Sequence, residues 1–243
     1  MRGRGRRGRR TAAAVAVVLA GVVVAGCGQG SADTDATKDG TPDTPAYARV
    51  QDIAESVAPD GTTIRVGSPK ADIVVHVYED MRCPVCGQFE TQGGGESLRG
   101  LILSGKVRAE YTLASFLDDR VGGQGSRKAA NALRAALDAG RFVEYHDALF
   151  AHQPEESVDG YTDAFLLEVA SRVDGLRGET FDTAVRTMRH GDFVTASQAA
   201  YEASGAPGTP TMAVNGKIVG QGMYGGIFDK ATLPMVIGAM AAS

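Results

Sequence analysis

The stretch Arg82-Cys83-Pro84-Val85-Cys86 constrains this 243-residue chain more than any other. It closely follows a run of mostly β-branched residues, Ile73 to Val77, and such a run favours a central strand that is covered on both faces. Pro84 suits the first turn of a helix, where its missing N–H has no partner to lose. The two cysteines are therefore predicted to lie where a strand passes into a helix.

The pattern around this motif predicts the order β-α-β, a helical block, a β-hairpin and a last helix. The first helix is expected to be interrupted at Gly93–Gly95, and residues 107–116 are expected to form the second strand. Asn-Gly between apolar runs predicts a hairpin within residues 208–221, around Asn215-Gly216. The last helix is predicted from Asp229 to Ala241.

Residues 126–203 carry apolar side chains at helical spacing, which indicates packed helical faces and no cofactor site. Four such stripes are Leu133, Ala136 and Leu137; Phe142, His146, Leu149 and Phe150; Leu166, Val169, Ala170 and Val173; and Phe181, Val185 and Met188.

The first 26 residues predict an export signal. Residues 1–10 carry six arginines and no acid, and residues 11–26 are uncharged but short of the 20 or so residues that span a membrane. A nucleic-acid-binding tail is the alternative interpretation of the arginines. Once they are removed, 19 basic residues face 29 acidic ones, so the remaining chain is a poor partner for nucleic acid.

Val24-Ala25-Gly26-Cys27 resembles the lipobox of bacterial lipoproteins, which implies that Cys27 is lipidated and becomes the first residue after cleavage. The paired arginines leave the export route open between general and twin-arginine export. The polar residues 28–46 predict a flexible tether. The expected organisation is a signal peptide at 1–26, the lipidated cysteine and tether at 27–58, and one packed domain at 59–243.

With Cys27 lipidated, Cys83 and Cys86 remain in a compartment that permits disulfides. The N–H donors and dipole at a helix start favour a thiolate at Cys83, so Cys83 is expected to exchange with partners and Cys86 to resolve the mixed disulfide. A zinc site and a permanent bridge remain as alternatives. Zinc needs further ligands at set spacings, and so short a loop gains little from closure.

The stretch from Asp80 to Cys86, with Phe89-Glu90 after it, resembles the DsbA-like branch of thioredoxin-fold thiol–disulfide oxidoreductases. The resemblance covers residues 62–241. It implies an α/β, thioredoxin-like fold in which a helical domain, at about 120–204, is inserted between a βαβ half and a C-terminal ββα half. It also implies a cis-proline loop at Gly208–Thr211, with Pro210 cis. Substrate contacts are then expected at Pro84, Val85, Thr209 and Pro210, with the Thr209 backbone pairing with an extended client.

The resemblance implies an enzyme of the extracytoplasmic side, lipid-anchored to the cell membrane, that exchanges disulfides with exported proteins as an oxidase or isomerase. A membrane redox partner would recycle its dithiol, and no cofactor, metal or nucleic acid is expected. Val85 cannot donate a side-chain hydrogen bond, which predicts a less extreme oxidant. The alternatives are a client-binding, chaperone-like lipoprotein with a static bridge, a reductant in cytochrome maturation, and Cu(I) delivery, which no Met or His cluster beside the motif supports.

Three polar side chains precede the motif on the same strand. Glu79 and Asp80 are expected to be solvated or capping carboxylates, with assistance to proton transfer as the alternative. Some relatives bury an acid six residues before the first cysteine. This chain has Val77 at that position, which argues against proton transfer by a buried acid there. His76 is expected to be a hydrogen-bonded core histidine.

Overall fold

The computed structural model describes residues 45–243 of the chain. The predicted signal peptide, Cys27 and most of the predicted tether lie outside the described residues. The strands are Glu55–Val57 (β1), Ile64–Val66 (β2), Ile73–Asp80 (β3), Val107–Ala114 (β4), Thr211–Val214 (β5) and Lys217–Ile218 (β6). The α-helices are Pro84–Thr91 (α1), Gly94–Leu103 (α2), Leu117–Val121 (α3), Gly125–Asp138 (α4), Phe142–Ala151 (α5), Asp163–Ala170 (α6), Glu179–Arg186 (α7), Gly191–Ala203 (α8), Gln221–Tyr224 (α9) and Leu233–Ala241 (α10).

One mixed sheet has the strand order β1-β2-β4-β3-β5-β6. The pair β3–β4 is parallel and the other pairs are antiparallel. The run from Ile73 to Val77 forms most of β3, which lies between β4 and β5 as a central strand should. The helical block α3–α8 is inserted between the βαβ half and the C-terminal ββα half, which confirms the expected α/β architecture.

The predicted hairpin is present at Asn215-Gly216, where both residues have positive φ, 49° and 81°. This is the backbone that a two-residue hairpin turn requires. The four predicted apolar stripes are buried in the helical block, although Val173 lies beyond the end of α6 at Ala170. Met188 likewise lies beyond the end of α7, at φ 50°, and is only half-buried. Its place on a helical face was wrong, because the helix ends at Arg186.

The sheet begins at Glu55, before the predicted domain start at residue 59, so the predicted tether extends too far. β1 pairs with β2, and Ile53 just before it is buried. The Glu55 carboxylate accepts hydrogen bonds from the first two amides of α5, Phe142 N at 3.0 Å and Val143 N at 2.9 Å. These two bonds cap the orphan N–H groups of a helix start, which holds residues 55–57 against the helical block.

Two helix boundaries also differ from the sequence prediction. The interruption after α1 falls at Gln92-Gly93, and Gly94 already begins α2. The last helix starts at Leu233, because the Asp229 side chain accepts from the amides of Ala231 and Thr232 and so forms a turn before it. Within residues 45–243, no helix combines the length and the apolar character that crossing a bilayer requires.

Two glycines of α2 offer a matched test of its packing. A methyl group on Gly94 would lie 2.4 Å from the Ile227 carbonyl oxygen and 2.6 Å from the Phe89 ring, whereas one on Gly100 would meet nothing within 4 Å. We expect Gly94→Ala to lower the free energy of unfolding by about 1–3 kcal/mol. Gly100→Ala should raise it by roughly 0.5–1 kcal/mol through helix propensity. Urea unfolding followed by circular dichroism measures both, and equal effects of the two substitutions would contradict this packing.

Candidate active site

Cys83 lies at the point where β3 ends and α1 begins. It is the N-cap residue of α1, and Pro84 follows as the first helical residue, as predicted. Its side chain is 7% exposed, while Pro84 and Val85 beside it are exposed. Cys86, almost one turn further along the helix, is fully buried. Both cysteines are free thiols. The Cys83 residue is close to the surface, whereas Cys86 lies in the core.

The surroundings of Cys83 lower the pKa of its thiol from 9.0 to about 6. The largest cause is the hydrogen bond from the Cys86 side chain. Burial acts in the opposite direction, and hydrogen bonds from the Thr209 side chain and from the backbone of Cys86 and Val85 add to the lowering. The amides of the helix start thus contribute as expected, but the neighbouring thiol contributes more.

Cys86 has the opposite electrostatics. Burial raises the pKa of its thiol well above the ordinary value, and the adjacent Cys83 and the charge of Glu79 raise it further. At neutral pH the pair therefore holds one thiolate, at Cys83, and one thiol, at Cys86. A thiolate is the attacking species in disulfide exchange, and a thiol beside it can close the ring.

The loop before β5 lies against Cys83. The peptide bond Thr209–Pro210 is cis, as expected. In its protonated form the Cys83 thiol donates to the Thr209 carbonyl oxygen at 3.3 Å, and the Tyr224 hydroxyl donates to the Pro210 carbonyl at 3.0 Å. An open groove of about 230 Å³ runs along this loop and is lined by Thr209, Pro210, Ile218 and Tyr224, among others. All four predicted substrate-contact positions thus lie beside Cys83 or on the loop that touches it.

Asp80 ties the end of β3 to the helical block and is not solvated. It is fully buried and accepts hydrogen bonds from the amides of Arg82 (3.0 Å) and Leu117 (3.1 Å) and from the Ser126 hydroxyl (2.6 Å). Burial raises the pKa of its carboxyl to about 7, although these bonds oppose the rise. The capping prediction fits Asp80, and the solvated one was wrong.

Glu79 is also fully buried, so the prediction of a solvated carboxylate fails here too. Its Oε1 lies 2.6 Å from Nε2 of His146 on α5. Burial alone would lower the pKa of His146, but the charge of Glu79 raises it well above the ordinary value. His146 is therefore more than the packing residue that its apolar stripe predicted.

Glu90 completes this buried cluster. It lies four residues after Cys86 on α1, so the two side chains share one face of the helix. Burial raises the pKa of its carboxyl to about 8. Donor atoms of Glu79, Glu90 and His146 all lie within 4.8 Å of one another. Within residues 45–243, these are the side chains that could together hold a metal ion.

The helical block also holds the turn that carries Cys83, through residues that the sequence analysis missed. The Gln153 amide donates to the carbonyls of Met81 (2.8 Å) and Cys83 (2.9 Å), and the Tyr161 hydroxyl donates to Met81 (2.9 Å). Gly87 leaves room for Gln153, since a methyl group there would lie 2.2 Å from its Oε1.

Arg82 adds a buried charge to the same junction. Its guanidinium pairs with Asp118 at 2.9 Å and donates to the carbonyls of Gly122 (2.6 Å) and Glu156 (2.7 Å). Only its position next to Cys83 singled it out in the sequence. His76, in contrast, bonds to Thr112 at 2.8 Å as a half-buried, hydrogen-bonded histidine, as predicted.

Comparisons with known proteins agree with this geometry. A family model described as thioredoxin matches residues 59–225. The chain is 33% identical over 167 residues to the Na⁺/H⁺ antiporter NhaA 3 of Salinispora tropica, a match that covers 68% of this chain but only 23% of the antiporter. It is 25% identical over 156 residues to disulfide bond formation protein D of Bacillus subtilis, covering 63% of this chain and 68% of that protein.

A solved structure with the same fold is reduced DsbA from Mycobacterium tuberculosis. It is 27% identical, covers 74% of this chain and 98% of its own, and superposes with a TM-score of 0.57. Its similarity extends over the sheet and the helical block together, which confirms the thioredoxin-like fold with a helical insertion.

The difference between the pKa values of the two thiols can be measured by alkylation of the reduced chain at different pH values. We expect the rate at Cys83 to rise through a midpoint near pH 6, while Cys86 stays unreactive at neutral pH. Cys86→Ala removes the largest cause of the lowered pKa, so the midpoint should move up toward about 8.5. Thr91→Ala is the control, since Thr91 on the same helix bonds only to the Gly87 carbonyl. Mass spectrometry of iodoacetamide adducts locates each site.

The same lowered pKa gives a pH dependence of stability with a fixed sign. The folded chain holds the Cys83 thiolate more strongly than the unfolded chain, so the reduced form gains stability as the pH rises above 6 and loses this contribution as the pH falls through 6. A Cys83 midpoint equal to that of free cysteine would contradict both expectations.

Proposed function

The chain belongs to the thioredoxin family, and from this we propose that it is a thiol–disulfide oxidoreductase that exchanges disulfides with exported proteins through Cys83 and Cys86. The observation that carries the proposal is the pair of unequal thiols at the start of α1, facing the Thr209–Pro210 loop. Disulfide exchange needs one stable thiolate and one neighbouring thiol, and this site supplies both.

In the oxidising direction, the cycle starts from a Cys83–Cys86 disulfide. A client thiolate attacks Sγ of Cys83, and Cys86 leaves as a thiolate and takes up a proton. A second client thiolate then attacks the client sulfur of the mixed disulfide, which releases the Cys83 thiolate and forms the client disulfide. Two electrons pass from the client to the enzyme. A membrane redox partner would withdraw them and restore the Cys83–Cys86 bond.

The lowered pKa of Cys83 favours this direction. A thiol of pKa about 6 is a good leaving group in the second step, and its ionisation stabilises the reduced enzyme. At pH 7, lowering the pKa from 9.0 to about 6 favours the reduced form about tenfold, which is roughly 1.4 kcal/mol or 30 mV. The enzyme is thus proposed as an oxidant of moderate strength. An isomerase would instead start from the reduced Cys83 thiolate, which attacks a client disulfide and is released again with no net transfer of electrons.

Clients would bind across the groove beside Cys83. Pro84 and Val85 give exposed apolar surface next to Cys83, and the groove along the Thr209–Pro210 loop would let the Thr209 backbone pair with an extended strand. Such backbone pairing selects for unfolded, cysteine-containing chains and requires little sequence preference. A client-binding module without turnover would use the same groove, and a reductant in cytochrome maturation would use the same thiols.

The N-terminal segments support a membrane location for this chemistry. We propose that residues 1–26 direct export, that Cys27 is lipidated, and that the following polar residues tether the domain to the extracytoplasmic face of the cell membrane. An extracytoplasmic compartment permits disulfides, and several acyl chains would anchor firmly, since each buried CH₂ contributes about 0.8 kcal/mol.

Refolding of a reduced, denatured disulfide protein tests the activity. The oxidised chain should accelerate formation of native disulfides, and Cys83→Ser should abolish the acceleration. Cys86→Ser cannot form the Cys83–Cys86 disulfide that oxidises the client, so it should also fail to accelerate refolding. Offered a client that already holds a disulfide, its Cys83 thiolate should attack that bond and accumulate as a mixed disulfide, because no Cys86 thiol is present to resolve it. Cys27→Ser retains both thiols of the motif and should keep the full rate in solution. Equal rates for the parent and Cys83→Ser would support the non-catalytic, client-binding alternative.

Membrane fractionation tests the anchor separately. The chain expressed in a bacterium that processes lipoproteins should partition with the membrane, and Cys27→Ser should appear in the aqueous fraction. Mass spectrometry of the N-terminal peptide should show an acylated Cys27 as its first residue. A chain cleaved elsewhere, or a Cys27→Ser variant that stays with the membrane, would rule out this anchor while leaving the redox proposal intact.

A further inference from the structure

Three side chains of the core converge from three different elements. Glu79 comes from β3, Glu90 from α1 and His146 from α5, and they are 0%, 8% and 3% exposed. One donor atom from each lies within 4.8 Å of the other two. The first two elements belong to the βαβ half and the third to the helical block, so the cluster lies at their junction.

Two carboxylate oxygens of this cluster have no hydrogen-bond partner in the described part of the chain. They are Glu79 Oε2 and Glu90 Oε1, and both are buried. A buried carboxylate oxygen without a partner is costly, and proteins compensate such oxygens by pairing or by metal coordination. The contact between Glu79 Oε1 and His146 satisfies only one of the four carboxylate oxygens.

His146 brings a nitrogen donor into the cluster. Its Nε2 lies 2.6 Å from Glu79 Oε1, and a donor atom of Glu90 lies within 4.8 Å of the cluster's other donor atoms. Its Nδ1 lies 4.0 Å from Oδ1 of Asp147, an ion-pair contact longer than a hydrogen bond. A cavity of about 10 Å³, lined by Glu90, His146 and Tyr111 among others, adjoins the cluster. That is about the space that one water molecule needs.

We propose that Glu79, Glu90 and His146 bind one divalent transition-metal ion, Zn²⁺ in the first instance. One imidazole nitrogen and two carboxylate oxygens form a donor set that Zn²⁺ accepts, whereas Ca²⁺ and Mg²⁺ require oxygen ligands in larger number. Three protein ligands leave the fourth position to a water in the adjoining cavity. The ion would offset the two carboxylates and bind the helical block to the βαβ half.

This site is distinct from the thiol pair and does not depend on the redox proposal. Zn²⁺ also binds dithiols, so the test uses the full-length chain with Cys27, Cys83 and Cys86 all replaced by serine. After dialysis against a chelator, titration calorimetry with Zn²⁺ should give one ion per chain. Glu90→Gln keeps the shape of the side chain and should weaken binding roughly tenfold or more. Glu96→Gln, an exposed glutamate on the neighbouring helix, is the matched control and should not change it.

Thermal unfolding provides a second measurement. Zn²⁺ that binds the folded chain should raise the melting temperature of the cysteine-free parent chain. It should do the same for Glu96→Gln in that chain, but not for Glu90→Gln. Should Glu90→Gln fail to fold, Co²⁺ absorption of the parent replaces it, because d–d bands of a four-coordinate ion report nitrogen and oxygen ligation directly. Binding of Ca²⁺ as tight as that of Zn²⁺, equal affinities of Glu90→Gln and Glu96→Gln, or no binding at all would overturn the proposal. The cluster would then be balanced by protons alone.

Discussion

Antiparallel pairing of β5 with β3 is the interaction on which the site depends. The register sets Thr211 opposite Tyr78 and Met212 opposite Val77, so the chain that enters β5 approaches the end of β3 from which Cys83 follows. For this reason a thiol and a carbonyl 126 residues apart lie 3.3 Å from each other. Without this pairing, the motif would be only a cysteine at a helix start; with it, the sulfur lies against the backbone of the loop before β5.

The helical block supports the site as well as covering the sheet. Arg82, Gln153 and Tyr161 connect it to the turn that precedes α1 by bonds to backbone carbonyls and one buried ion pair. A buried ion pair is costly to break from one side, because the remaining charge loses its partner. Asp80 and Glu79 extend this connection from the strand into α4 and α5. The βαβ half and the helical block therefore together hold the turn that carries Cys83.

Local patterns predicted the parts of this structure that local chemistry determines. The β-branched run predicted β3, Pro84 after Cys83 predicted the helix start, and Asn215-Gly216 predicted the hairpin. Each prediction succeeded because the residues concerned restrict their own backbone conformation. The partners of Glu79 and Asp80 could not be predicted, since His146 and Ser126 lie 67 and 46 residues further along the chain. A histidine in an apolar stripe is compatible with simple packing, and the three residues of β1 are too few to show an alternation. Only the folded arrangement reveals that Glu55 caps α5 and so belongs to the domain.

The near-complete burial of Cys83 limits how its sulfur can be approached. The residue is 7% exposed, its thiol contacts the Thr209 carbonyl, and its own carbonyl accepts from Gln153, so the turn is tied both to the loop before β5 and to the helical block. Under the proposed function, a partner sulfur would have to reach Cys83 on a narrow, extended segment, and cysteines on the flat faces of folded proteins would lack that reach.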